Sequence, residues 1–168
     1  MADGVSQDIL VATDFSPGSR LALERARRSL RPEGGHICVL HVIDEGLIAQ
    51  MHVCLPEMDE TELRTRLRRE AEAHYTQLVA GLERGQAIIE PMIIEGTPFL
   101  KIVQLARDLD VDMIVMTVHR GMTHIEQVLF GSTAERVLRL APCAVLIVPH
   151  VVTQPPPETV QAHAGHTG

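Results

Sequence analysis

The stretch EGTPFLKIVQLARDLDVDMIVMTV, Glu95 to Val118, decides the fold. Gly96 closes an apolar run. Thr97-Pro98 then reads as a helix start, because the fixed φ of proline suits the first helical position and its missing N–H is no loss there. Ile102, Leu105, Ala106 and Leu109 recur at helical spacing and form an inner side. Val111 to Val118 follows as an apolar run without a polar alternate face, which reads as a strand covered on both faces. Helix followed by buried strand is the repeating unit of a parallel sheet with right-handed crossovers.

The same pattern extends in both directions. Asp8 to Thr13 is a first apolar strand, and the turn DFSPGS follows it. Ser16 can cap the next helix, with Pro17 at its first position. Leu21, Ala22, Arg25 and Ala26 carry that helix toward Leu30. His36 to Ile43 is a second strand, rich in β-branched residues. Asp44 to Pro56 is a long connection holding Leu47, Ile48, Met51, Val53 and Leu55. It reads either as a lid or binding surface, or as a segment packed under the next helix. That helix begins near Glu57, with Leu63, Leu67, Ala71, Tyr75, Leu78 and Leu82 as its stripe. Ala87 to Gly96 is a third strand, where Pro91 removes a ladder donor and points to an edge or a bulge. Ser132 to Leu140 is a helix, and Ala141 to Pro149 a fifth strand. Its apolar run CAVLIVP makes an edge that invites a second chain. The expected class is therefore α/β, an open five-stranded parallel sheet with helices on both faces. One domain spans 1–149, and a Pro-rich tail, 150–168, has little to bury.

Composition excludes several function classes. The 168 residues carry a formal charge of −7. That disfavours a nucleic-acid binder, which needs clustered cations for phosphate contact. The basic runs Arg25 to Arg28 and Arg64 to Arg69 sit beside glutamates and read as solvated helix faces. No Trp, one Tyr and three Phe leave little for base stacking and imply an aliphatic core. No apolar run approaches the ~20 residues of a membrane span. The acidic start MADGVSQDIL lacks the charged n-region of a signal peptide. Cys38, Cys54 and Cys143 are odd in number, and Cys38 and Cys143 read as buried free thiols; a reducing cytoplasm is the expected compartment. His52-x-Cys54 and His163-x2-His166 lack second pairs at structural-zinc spacing, so no metal site is expected.

Ligands of such sheets bind at the carboxyl ends of the strands, near the switch in strand order. That singles out Thr13-Asp14, Val42 to Asp44, and the segment from Thr117 to Ser132. The last lies in VHRGMTHIEQVLFGSTAERV, Val118 to Val137. Gly131-Ser132-Thr133 opens a helix, where free amides and the helix dipole attract an anion. Glycine lets phosphate oxygens approach the backbone closely, and a following hydroxyl adds a donor. Gly121 precedes Gly131 by nine intervening residues. Three positions before Gly121 stands Val118; alignment from the strand puts Thr117 there instead. Either way a β-branched residue occupies the first glycine position. Arg120 can pair with a phosphate, bidentately if well aimed. His119 and His124 flank the loop. Asp14 suits either Mg²⁺ with phosphate oxygens or the cap of the following helix.

ILVATDFSPGSRLAL, VLHVIDEG, EGTPFLKIVQLARDLDVDMIVM and FGSTAERVLRLAPCAVLIVP occur in an order that resembles the universal stress protein family, over about Asp8 to Pro149. The resemblance implies an adenine nucleotide alpha hydrolase-like, Rossmann-like fold. It implies a homodimer through the final strand, Ala144 to Val148. Nucleotide-binding members carry Gly-x2-Gly-x9-Gly-Ser/Thr, and this chain departs from it at the first glycine. Carried over by motif, the residues implied for ATP, with or without Mg²⁺, are Ala12, Thr13, Asp14, Val42, Met116, Thr117, Arg120, Gly121, Gly131, Ser132 and Thr133. No catalytic residue is implied. Members without the loop signature keep no ATP, so a nucleotide-free interaction module is the alternative expectation. A hydrolase using Asp14, His119 and Arg120 is the third.

Overall fold

The computed structural model describes residues 7–83, 85–120 and 131–151. Five strands run in the order β3-β2-β1-β4-β5, all parallel. They are β1 (Gln7–Ala12), β2 (Gly35–Asp44), β3 (Ala87–Gly96), β4 (Met113–Arg120) and β5 (Ala144–Val151). The helices are α1 (Ser19–Ser29), α2 (Glu45–Cys54), α3 (Glu60–Val79), α4 (Pro98–Asp108) and α5 (Ser132–Leu140). The chain moves outward from β1 to β3 and then returns to the other side of β1. The switch in order therefore falls between β1 and β4, where crevices open at the strand ends.

Strand alternation sorts the core into two layers. Ile9, Val11, Ile37, Val39 and Val115 pack with Ala22, Leu23 and Ala26 of α1, and Tyr75 and Leu78 of α3 lie against them. Leu10, Leu40, Ile114 and Met116 face the other way, onto Ile102, Val103 and Ala106 of α4 and Val137 of α5. Ile9, Leu10 and Val11 are all at most 1% exposed, which is why β1 reads as an unbroken apolar run. A third, smaller cluster joins Ile43, Ile48 and Leu63 where α2 meets β2 and α3.

Arginines fasten α3 to its neighbours. Arg64 pairs with Glu60 and Glu95, and Arg68 donates to the Ile93 carbonyl at 3.0 Å. Arg20 of α1 donates to the Leu78 and Ala80 carbonyls at 2.8 and 2.7 Å. The run Arg64 to Arg69 is thus only partly a solvated face; Arg66 pairs along the helix with Glu70. On the opposite layer Arg136 of α5 lies over the Phe99 ring, 4.7 Å from its centre, and Arg139 pairs with Glu135.

Several expectations need correction. The connection after β2 is a helix, α2, capped by the Asp44 side chain, which accepts from the Gly46 amide. Its sequence hides this because only Ile48 is buried, while Leu47 and Val53 are exposed, so no stripe forms. Val42 to Asp44 accordingly belongs to β2 rather than to a loop. Ser16 does not cap α1: the cap position is Gly18, without a side-chain bond. α3 starts at Glu60 and ends at Val79, so Leu82 lies beyond it, still packed on the core. Leu109 is exposed, and Val103 takes the inner place instead. Cys38 and Cys143 are half-buried rather than buried, and Cys54 is exposed. Burial and nearby Glu90 push the Cys38 thiol up to about 11, so it stays protonated. Pro91 does sit on an edge strand, in unbroken register with Val39. β5 is the other edge and continues through His150 and Val151, past the expected domain end at Pro149. The remainder of the tail, with His163 and His166, lies outside the described residues.

Candidate functional site

A cavity of about 610 Å³ opens at the carboxyl ends of β1, β2 and β4, beside the first turns of α4 and α5. That is within the volume range of small-molecule sites. Nine of the sequence-derived residues line it: Ala12, Thr13, Asp14, Val42, Met116, Thr117, Gly131, Ser132 and Thr133. Gly121 and His124 lie outside the described residues, as do the side chains of Arg120 and His119.

The β1 wall is held by its own hydrogen bonds. The Thr13 amide donates to the Leu40 carbonyl at 2.9 Å, fixing the end of β1 against β2. The Thr13 hydroxyl donates to Ser19 Oγ at 2.8 Å and accepts from the Phe15 amide at 2.9 Å. Ser19 Oγ in turn donates to Asp14 Oδ1 at 3.4 Å, a long bond. Thr13 and Ser19 are buried, so each hydroxyl needs the other. Asp14 Oδ1 also accepts from the Ser16 amide at 2.9 Å. Asp14 therefore braces the turn before α1 and does not cap the helix itself. His41 Nδ1 donates to the Thr13 carbonyl across 2.9 Å. Burial pulls the His41 pKa below its ordinary 6.5, although the Thr13 bond and Asp14 act the other way.

The α5 wall is built differently. Gly131 occupies the cap position of α5 at φ −55° and ψ 154°, with no side-chain cap bond. Its φ is one that any residue adopts. Among the described residues, a Cβ added there would meet nothing within 4 Å. Backbone strain does not demand glycine at 131, nor does packing among those residues. The first turn, Ser132 to Ala134, borders the cavity with the amide end of a helix. Between the walls, Thr117 and Val118 are ordinary strand residues paired with Val148 and Pro149, and Val118 is in the core. The position of the absent glycine is thus a strand position, where β-branched side chains pack well.

Leu40, His41, Pro98 and Ile102 also line the cavity and were not singled out. Leu40 lies two residues before Val42, on the same face of β2, so strand alternation was the signal for it. Pro98 stood in the Glu-Gly-x-Pro stretch that marks the start of α4. His41 carried no such signal. Among the described lining residues Asp14 is the one carboxylate, and no Lys or Arg joins it. Among the described residues no three His, Cys, Asp or Glu side chains are placed to hold a metal ion. No helix among them is long and apolar enough to cross a membrane.

Comparison with known proteins agrees with this architecture. The model of the universal stress protein family matches residues 6–149. Universal stress protein MJ0577 of Methanocaldococcus jannaschii is 30% identical over 151 residues, covering 83% of this chain and 93% of its own length. The solved structure of MJ0577 superimposes with a TM-score of 0.69 at 29% identity, covering 88% of this chain and 98% of that one. A universal stress protein from Archaeoglobus fulgidus, solved in complex with dAMP, shares the fold at a TM-score of 0.60. It is 21% identical, over 85% of this chain and 98% of its own.

Proposed function

This chain belongs to the universal stress protein family, and from that premise we propose that its cavity binds an adenine nucleotide, ATP in the first instance, in a regulatory role. The observation that carries the reading is Gly131. It lines the cavity at the start of α5, with no conformational reason to be glycine and, among the described residues, no packing reason. A phosphate seated there would take N–H groups of the first turn, with the hydroxyls of Ser132 and Thr133 as further donors. In support of the reading, the Archaeoglobus fulgidus neighbour of the same fold was solved in complex with dAMP. The described lining is neutral apart from Asp14. The charge of a polyphosphate therefore calls for a counter-ion, supplied in this reading by Arg120 or Mg²⁺. Gly121 is the remaining glycine of the sequence motif that ends at Gly131-Ser132.

The proposal includes a homodimer through β5, Ala144 to Val148. β5 is an open sheet edge with a continuous apolar sequence, and such an edge is stabilised by pairing with another chain. The reading is one of binding, with at most slow ATP hydrolysis. Its place of action is the cytoplasm. A second reading, a nucleotide-free interaction module, is favoured by α2. That helix exposes Leu47 at 49% and Val53 at 79%, and Leu55 follows at 45%.

The test is to denature the purified protein, identify released small molecules by mass spectrometry, and titrate Mg-ATP calorimetrically. Co-purified or saturably titrating adenine nucleotide supports the first reading. Its absence by both routes contradicts that reading and moves attention to α2.

A further inference from the structure

We infer that Phe15 is a positioning residue for the cavity: two imidazoles, one from β2 and one from α3, hold its ring so that the backbone at this residue aims the preceding Asp14 at the ligand. The inference rests on the nucleotide reading and assigns a role within it to a residue that does not itself line the cavity.

Phe15 has φ 58°, in the left-handed region. Among the described residues the only other non-glycine with positive φ is Asp110, at 49°. Asp110 follows α4 in a surface turn, and aspartate tolerates that region through local hydrogen bonding. A bulky aromatic has no such help. It persists there only where the surroundings over-determine it, and such outliers gather at functional sites.

The surroundings of Phe15 do over-determine it. Its ring centre lies 4.6 Å from that of His41 and 5.4 Å from that of His74, tilted by 34° and 46°. These are favourable aromatic separations. Its amide donates to the Thr13 hydroxyl, and His41 Nδ1 donates to the Thr13 carbonyl. Asp14 is thus fixed on both sides, by Thr13 before it and Phe15 after it. Its own Oδ1 takes the Ser16 amide. The direction of the carboxylate is the resultant of these contacts, and one of the two rings that set it comes from α3, away from the cavity.

The clamp is titratable. The groups that act on His41 electrostatically are Asp14, from the loop after β1, and His74, from α3. Acidification places a charge on a half-buried ring whose burial, with His74 nearby, disfavours the charged form. The charge gains a cation–π attraction to Phe15, but burial outweighs it, so the ring is drawn toward water and its hold on Phe15 loosens. Affinity for the nucleotide is then expected to fall on the acid side of neutrality, through the clamp and not through the ligand.

AMP serves as the probe, in calorimetric titrations of wild type, Phe15→Gly and Phe15→Leu at about pH 7.5 and about pH 5.5, the interval in which histidine changes charge. Glycine keeps the left-handed backbone accessible and removes only the ring; leucine guards against an effect peculiar to glycine. Imidazole titrations followed by NMR on the ligand-free proteins give a readout independent of binding. Expected are roughly tenfold weaker AMP binding in both variants at the higher pH, and loss of the wild-type pH dependence in Phe15→Gly. The His41 titration should also move up toward its ordinary value. Phe15→Gly matching wild type in affinity and pH profile overturns the positioning role while leaving nucleotide binding intact. Wild type that takes neither AMP nor Mg-ATP at either pH overturns the nucleotide reading and this inference with it, and shows itself before any substitution is made.

Discussion

The two walls of the cavity satisfy their polar groups in opposite ways. On the β1 wall the Thr13 and Ser19 hydroxyls, the Asp14 carboxylate and His41 form one internal network. On the α5 wall the helix begins at a glycine with no side-chain cap and, among the described residues, no neighbour in the space a Cβ would fill. In the nucleotide reading, the difference assigns the ligand's charge to the α5 wall. A wall whose hydrogen bonds are made positions a ligand; a helix start whose amides border a cavity recruits an anion.

The same contrast separates the glycines. Gly18 is needed for packing, because a Cβ there would stand 2.9 Å from the His150 Cβ and 3.2 Å from the Thr117 Cγ2. Gly131 has no such neighbours among the described residues. The largest expected effect therefore comes from Gly131→Val. Nucleotide affinity should fall by about 2–3 kcal/mol, as hydrogen bonds to a charged group are lost. Stability should fall by no more than ~1 kcal/mol, the scale of a cap preference. Calorimetry and thermal melts on one sample separate the two, and unchanged affinity breaks the comparison at its centre.

Ser19→Ala attacks the other wall. It strands the buried Thr13 hydroxyl, and a loss of about 1–3 kcal/mol in stability is expected, read from denaturant unfolding. A neutral result would mean that water replaces the serine and that the wall is less closed than described. Gly18→Ala should cost about 1–2 kcal/mol through crowding against His150 and Thr117. It should leave affinity nearly unchanged in the folded fraction, the reverse of Gly131→Val.

Thr117→Gly sharpens the contrast from the strand between the walls. It should weaken folding by roughly 0.5–1 kcal/mol, the penalty of glycine within an element, while tightening nucleotide binding by opening the approach to phosphate. Unchanged or weaker binding would show that the β-branched residue is not what restricts the loop.

The smallest effect is electrostatic. The folded-state pKa of His41 lies below its ordinary 6.5, mainly through burial. The unfolded chain thus binds the proton more readily. The stability associated with a neutral His41 is present in full above pH 6.5 and is lost as pH falls through the folded-state value. Melting temperature should decline across that window in wild type and more shallowly in His41→Gln. Parallel slopes would place the titration elsewhere.

Much of this was legible in the sequence because burial on both faces leaves an unmistakable apolar run, as in Ile9 to Val11 and Ile114 to Met116. Ser132 to Leu140 was legible to its ends because Gly131 before it and Ala141-Pro142 after it punctuate it. α2 was not, because a helix resting on a single buried residue has no period to read. In the site, Thr13, Asp14 and Gly131 were legible as strand-end and helix-start residues. His41 was missed because its role depends on a carbonyl 28 positions away and on the Phe15 ring, neither visible in local pattern. Ser16 looked like a cap because the sequence shows its type but not that the helix starts three residues later, with Gly18 at the cap position.

The most direct test of the division of labour between the walls is an amide-resolved NMR titration of the full chain with AMP. The account predicts the largest perturbations at Ser132 and Thr133, where the phosphate is received, with smaller ones at Thr13 and Asp14. Saturable binding that leaves Ser132 and Thr133 unmoved, or no perturbation at any of the four, would contradict it.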